Sequence, residues 1–232
     1  MTLYDAIFSR RQVRKFRNES LDKDVLGDIL LFVSQAEHLK GQNTSFELVS
    51  GGEVRGGPGA PYYLLAFSRE DAAAYADVGF VMGEADLYMQ SLGLGSGWFM
   101  NVKLADERKD FCIALAFGTT DIPPRNGEMD FKRLPLSKIS KEDNAVSRAM
   151  RLAPSSLNSQ PWQMEFLPRA MTVKDRGRGV KRLILEKKLN KIDIGIAARY
   201  AVIALEHEGW RVTSVTPRFS GGAFEIGIVY QA

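Results

Sequence analysis

Apolar residues along this chain fall in short blocks whose spacing alternates between the helical and the extended period. Leu3, Ile7 and Phe8, behind Thr2 as N-cap, predict a short helix over residues 3–10. Leu26, Ile29, Leu30 and Val33 recur at helical intervals, in a second helix that Ser20 or Asp22 could open. Phe46 to Val49 and Tyr62 to Phe67 are brief runs of strand type. Between them, Gly51 to Pro61 holds five glycines and two prolines, the composition of an exposed loop or tight turn. A helix over 72–92 follows, closed by Gly93, and its small residues (Ala73, Ala76, Gly79, Gly83) permit close packing against another helix. Strands at 111–117, 163–167, 182–186, 210–215 and 224–230, with helices at 141–152 and 192–208, complete the pattern.

The pattern repeats. Asp77-Val78-Gly79 opens an apolar helical run that ends at Gly93, and Asp193-Ile194-Gly195 opens another of the same length that ends at Gly209. Strands alternating with helices in two similar units predict an α/β or α+β sandwich of two pseudo-symmetric halves, over residues 1–139 and 140–232. The connector over 118–140 is too long for an ordinary linker, and such segments are usually functional or wrap a neighbour.

Composition adds exclusions. A net charge of +3 is too small to argue for a nucleic-acid partner, although cations could still be concentrated at one site. No apolar run approaches the ~20 residues that span a bilayer, and MTLYDAIFSRR lacks the long apolar stretch of a secretory signal. Cys112, the sole cysteine, forbids an internal disulfide and sits in an apolar run that suits a buried, inert thiol. A cytoplasmic location is the expectation. His38 and His207 have no ligand-like partner at helical spacing, so no metal site is expected.

The two copies differ in their polar residues. Only the first is preceded by Arg10, Arg11, Gln12 and Arg14, which suit either a surface ion-pair face or a phosphate clamp, since guanidinium donors match phosphate oxygens in a planar fork. Only the second carries Ala153-Pro154-Ser155-Ser156-Leu157-Asn158-Ser159-Gln160-Pro161-Trp162, where hydroxyls, amides and free backbone N–H groups share a tight turn able to read the edge of a flat heterocycle. Ser155 and Ser156 have no GxSxG context or nearby histidine base, which argues against a hydrolase.

The early RRxxRxF (Arg10 to Phe16), the APSSxNxQPW turn and Gly93-Leu94-Gly95-Ser96-Gly97-Trp98 together resemble the nitroreductase family of FMN-dependent oxidoreductases. The resemblance is to the branch in which one chain folds as a fused pseudo-dimer. It implies a nitroreductase-like sandwich with a mostly antiparallel sheet, one FMN per chain between the halves, NAD(P)H as hydride donor, and a flat small-molecule acceptor such as a nitroaromatic or quinone. Arg10, Arg11 and Arg14 would hold the phosphate and ribityl chain, with Gln12 standing where the family commonly has serine. Pro154, Ser155, Ser156 and Asn158 would contact the flavin from the other half. Lys132 and Arg133, in a segment ending R-x-P-L, would reach the phosphate, Arg125 being a poorer candidate.

No catalytic side chain is required. The family's Pro-x-Glu-Gly segment near flavin N5 is missing between Trp98 and Phe111, and Gly95, Ser96 and Gly97 would take part of its function. The reciprocal site should be dead, because Ala36 to Gln42 lacks the Pro-Ser-Ser-x-Asn set. The same scaffold admits dehalogenation, dehydrogenation or flavin fragmentation, or an FMN binder without turnover. Whether the pseudo-dimer pairs again stays open.

Overall fold

The computed structural model describes residues 1–106, 108–176 and 187–232. The chain runs α1 (Leu3–Ser9), α2 (Lys23–Ser34), β1 (Ser45–Ser50), β2 (Val54–Gly56), β3 (Tyr62–Phe67), α3 (Ala72–Ser91), β4 (Gly95–Phe99), β5 (Val102–Leu104) and β6 (Phe111–Gly118). After the connector come α4 (Ala145–Arg151), β7 (Trp162–Leu167), β8 (Ala170–Asp175), α5 (Leu189–His207), β9 (Arg211–Ser220) and β10 (Ala223–Gln231). Thr2 and Asp22 are the N-caps of α1 and α2, their side chains accepting from the first-turn N–H groups of Asp5 and Asp24.

Two four-stranded antiparallel sheets carry the same topology. The first is ordered β1-β3-β6-β4 and the second β7-β8-β10-β9, so the order in each is first, second, fourth and third by place among the strands of that sheet. The helix ends repeat as well. Gly93 and Gly209 take positive φ of 81° and 83°, and each is followed by a residue whose N–H reaches back into the last turn, Leu94 to Met89 O and Trp210 to Leu205 O. Glycine meets no Cβ clash in that conformation, which is why it closes both helices.

α3 and α5 pack against each other at the centre. Both are buried on nearly all sides along most of their lengths, which explains why neither shows the one-sided stripe of a surface helix. A Cβ added to Gly79 would overlap the Ile192 carbonyl oxygen, and one on Gly195 would overlap that of Ala76. A single apolar core joins residues of both halves around this crossing.

The structure departs from the sequence expectation in several places. β8 was not predicted, and the expected strand at 182–186 lies outside the described residues. The glycine-rich segment contains a strand, β2, paired with β5. Gly95 to Phe99 forms β4 because its small residues admit the N-terminal segment at close range: Gln12 bridges to Ser96, and a Cβ on Gly97 would strike the Val13 carbonyl oxygen. α4 starts at Ala145 rather than near Lys141, since Asn144 is its N-cap.

Candidate functional site

The arginine segment and the 154–162 turn are joined through the connector. Arg125 N–H donates to Ser9 O at 2.8 Å and its Nη1 to Arg10 O. Its guanidinium lies over the Phe131 ring, 4.2 Å from the centroid, and that of Arg133 stands 5.5 Å from the same ring. Arg133 then reaches the turn, with Nη1 donating to Asn158 Oδ1 (2.7 Å) and Nη2 to Leu152 O (3.0 Å). Asn158 Nδ2 donates to Lys132 O at 3.0 Å, and Leu134 N–H to Gln160 Oε1 at 2.8 Å. The connector thus clamps the turn to the N-terminal segment, the wrapping its length suggested.

The turn is held in an unusual backbone form. Leu157, Asn158 and Gln160 have φ of 53°, 53° and 48°, and they alone among the described non-glycine residues lie at positive φ. Such residues persist only where their surroundings over-determine them, and they gather at functional sites. Here Asp193 on α5 accepts from Ser156 N–H, 3.0 Å from both carboxylate oxygens, and from Ser156 Oγ at 3.2 Å, while Ser155 Oγ accepts from Gln160 N–H at 2.9 Å. Burial pushes the Asp193 carboxyl up to about 8, against the opposing bonds from Ser156.

Electrostatics distinguish this place from the rest of the molecule. Burial lowers the pKa of Arg133 to about 10, and the charges of Arg10, Arg125 and Arg151 push it in the same direction. Arg125 is lowered too, first by burial and then by Arg10 and Arg11. Neither hydrogen-bonds a carboxylate among the described residues: Arg125 donates to Arg10 O and Asp130 O, Arg133 to carbonyl and amide oxygens. Among the buried side-chain atoms with no hydrogen-bond partner are Arg133 Nε, the hydroxyl of Tyr200 on α5 and Trp162 Nε1 of the turn. Two guanidinium groups that bond no carboxylate among the described residues, one of them with an unmet donor, suit an anion.

The other expected residues are placed as follows. Arg10 is buried, its Nε donating to Asp86 at 2.8 Å; burial opposes its charge, and Asp86 more than offsets this, so its pKa is raised. Asp86 also accepts from Trp98 Nε1 and Ser96 Oγ. Gln12 is committed to β4, with Nε2 donating to Trp98 O and Oε1 accepting from Trp98 N–H, both at 3.1 Å. Arg11 is half-buried and anchored through its backbone to the Gln90 amide, and Arg14 is exposed. Gly95 and Ser96 are buried in β4. Pro154 is buried and Ser155 and Ser156 partly so, whereas Asn158 and Lys132 are exposed. Sequence reasoning ranked Arg125 low and missed Tyr200, whose only signal was a hydroxyl beside Arg199 on a largely apolar helix.

The equivalent place in the other half is built differently. Asp77 there ties down residues 38–44, accepting from His38 Nδ1 (2.7 Å), Leu39 N–H (2.7 Å) and Thr44 Oγ1 (2.7 Å). The buried cation beside it, Arg199, donates to Glu37 O at 2.9 Å and pairs with Glu84 at 3.4 Å. Burial lowers its pKa, against the pull of Glu84, Glu37 and Glu206, and its Nε, like that of Arg133, has no hydrogen-bond partner. The difference is Glu84, a carboxylate against the cation that Arg133 lacks among the described residues. Among the described residues no group of His, Cys, Asp and Glu could hold a metal ion, and no helix is long and apolar enough to cross a membrane.

The family model described as "Putative TM nitroreductase" matches residues 2–204. Among solved structures, a "putative nitroreductase" from Thermotoga maritima is similar at a TM-score of 0.72 and 19% identity, over 99% of this chain and 94% of that one. A "putative nitroreductase in complex with FMN" from Desulfovibrio desulfuricans aligns with 61% of this chain and 96% of its own at 19% identity and a TM-score of 0.46. An "FMN-dependent nitroreductase" from Clostridium difficile aligns with 54% of this chain and 94% of its own, at 19% and 0.43. Comparison with curated proteins finds no match. At 19% identity the likeness to the Thermotoga maritima structure shows the fold.

Proposed function

Because this chain belongs to the putative TM nitroreductase family, we propose that it is an FMN-dependent oxidoreductase with one flavin site, formed where residues 1–139 meet residues 140–232. The observation that carries this is the pair Arg125 and Arg133, which bond no carboxylate among the described residues and are clamped to the strained turn. Arg125 and Arg133, with the orphaned Arg133 Nε–H, fit a phosphomonoester. Arg11 and Arg14, with no carboxylate bonded to either among the described residues, and Lys132 add charge along the approach. Pro154, Ser155, Ser156 and Asn158 form the wall from the second half, and Asp193 holds Ser156 in place. Arg10 and Gln12 support the site from beneath rather than offering free donors, since Asp86 and Trp98 occupy them.

FMN, when bound, accepts and passes on two electrons, with NAD(P)H as donor and a flat acceptor such as a nitroaromatic or quinone. The protein's part is binding, orientation and electrostatics, with no side chain acting as nucleophile or base. The connector keeps the arginines and the turn at a fixed separation, and the acidic surroundings of Arg199 close the reciprocal place to an anion. The protein works as a single-chain pseudo-dimer in the cytoplasm.

Purified protein reconstituted with FMN should hold close to one flavin per chain and lose its yellow colour under NADH or NADPH without oxygen. Two flavins per chain would defeat the single-site reading. A second reading is an FMN binder without turnover, which the internal commitment of Arg10 and Gln12 favours. It predicts bound flavin that neither nicotinamide bleaches.

A further inference from the structure

Of the three left-handed residues in the turn, Gln160 alone is buried, while Leu157 and Asn158 are exposed. A φ of 48° is costly for any residue with a Cβ, and Pro161 behind it favours extended backbone at this position instead. Glycine would take that backbone without the steric cost, so the position is held by what the glutamine side chain does. Its Oε1 accepts from Leu134 N–H at 2.8 Å and its Nε2 donates to Asn158 O at 3.3 Å, while its backbone N–H donates to Ser155 Oγ at 2.9 Å. One residue thus ties the connector to both Ser155 and Asn158. Two other bonds between connector and turn, Arg133 to Asn158 Oδ1 and Asn158 Nδ2 to Lys132 O, run through the exposed Asn158, where water competes for each.

The internal repeat sharpens the point. Asn43 stands two residues before β1, as Gln160 stands two before β7. Asn43 is exposed and does not take a positive φ, and its neighbour Thr44 is tied to Asp77 instead. Between these two places, the buried, left-handed amide belongs to the half whose turn the connector crosses.

We propose that Gln160 is a positioning residue for the flavin ring system: its amide fixes the turn against Leu134, so that Gln160 governs affinity for the ring while the arginines govern affinity for the phosphate. The proposal rests on the FMN reading above. Gln160 acts through Ser155 and Asn158 and needs no contact with the flavin itself. Truncating it leaves Leu134 N–H without its acceptor and Asn158 O without its donor. The left-handed turn then loses bonds that offset its strain, and a ligand must re-form the turn as it binds, which lowers affinity for whatever the turn reads.

The test compares wild type, Gln160→Ala and Gln160→Gly in the apo form. Fluorescence titration gives the Kd for FMN and for riboflavin, which lacks the phosphate, and thermal unfolding gives Tm without ligand. Gln160→Ala should bind both flavins more weakly by the same factor, about tenfold. Gln160→Gly removes the same amide but relieves the positive φ, so it should melt above Gln160→Ala and yet bind both flavins no more tightly. A role confined to stability would bring affinity back together with Tm. Wild-type affinity for both flavins in Gln160→Ala overturns the inference alone, as does recovered affinity in Gln160→Gly or a loss confined to FMN. A wild-type chain that takes up neither flavin overturns the cofactor reading, and this inference with it.

Discussion

Gly79 and Gly195 each lie against the other's helix, Gly79 under the Ile192 carbonyl oxygen and Gly195 under that of Ala76. They mark the crossing of α3 and α5, where the two halves share backbone-to-backbone contact. Any larger side chain at either position meets a carbonyl oxygen that belongs to a buried helix and cannot step aside.

Gly79→Ala and Gly195→Ala should therefore each destabilise the chain, although alanine is the better helix former by about 1 kcal/mol. Overpacking of this kind costs about 1–3 kcal/mol, so the expected balance is destabilising. The denaturation midpoint checks it. The double variant should lose less than the sum of the singles, because one displacement of the helices relieves both clashes. Additive losses, or a rise in midpoint, would mean the crossing is looser than described.

Asp193 supplies a dependence on pH. Its folded pKa is raised, from an ordinary 3.8 to about 8, chiefly by burial. A group raised on folding contributes stability that is complete below the unfolded value and is lost as pH climbs through the folded one. The window therefore opens near pH 4 and closes near pH 8. Asp193→Asn keeps an oxygen for Ser156 N–H but cannot ionise. Its stability relative to wild type should improve steadily across that window, measured by urea midpoints at fixed salt. A constant difference between the two chains from pH 4 to 9 would contradict the assignment.

His38 acts later on the same axis. Its pKa is raised first by the hydrogen bond to Asp77, with burial opposing. The stability it adds is complete below its ordinary value of 6.5 and is lost above it as the ring deprotonates. His38→Gln should thus fall below wild type at pH 6 and converge on it at pH 9. Its side chain is partly exposed, so the effect should be smaller than at a fully buried pair. Divergence that grows with pH would reverse the sign.

Much of this was legible before any coordinates, for physical reasons. The repeated aspartate, glycine and closing glycine were visible because a close helix crossing and a left-handed cap each demand a particular residue. The turn at 154–162 was visible because hydroxyls and amides gather where a backbone needs side-chain acceptors. β8 was missed, since Ala170 to Asp175 is short and lacks a clear alternation of apolar and polar residues. β4 was missed because Gly95 and Gly97 look like turn residues until the N-terminal segment is laid against them. The sequence leaves Arg10 between a surface ion pair and a phosphate clamp because its buried partner, Asp86, is distant in sequence on another helix. Tyr200 could not be singled out, since a tyrosine in an apolar helix ordinarily reads as core.

Arg10 and Arg133 separate support from binding. Arg10 is 2% exposed and Asp86 fully buried. Removing one partner of such a pair leaves an unpaired buried charge, at a cost of about 3–5 kcal/mol. Arg10→Ala should therefore lower apo stability sharply and spoil flavin uptake only as a consequence. Arg133 has no carboxylate to orphan, and its loss frees Asn158 and Leu152 O to water. Arg133→Ala should leave the apo midpoint within about 1 kcal/mol of wild type, because relief of the buried charge offsets the two bonds lost, to Asn158 Oδ1 and Leu152 O. Its FMN affinity should fall at least tenfold, the equivalent of about 1.4 kcal/mol. Apo denaturation and FMN titration on the two variants give four numbers, and the expected pattern is crossed. If both variants lose stability alike while Arg133→Ala keeps its affinity, the cluster is a structural feature and not an anion site.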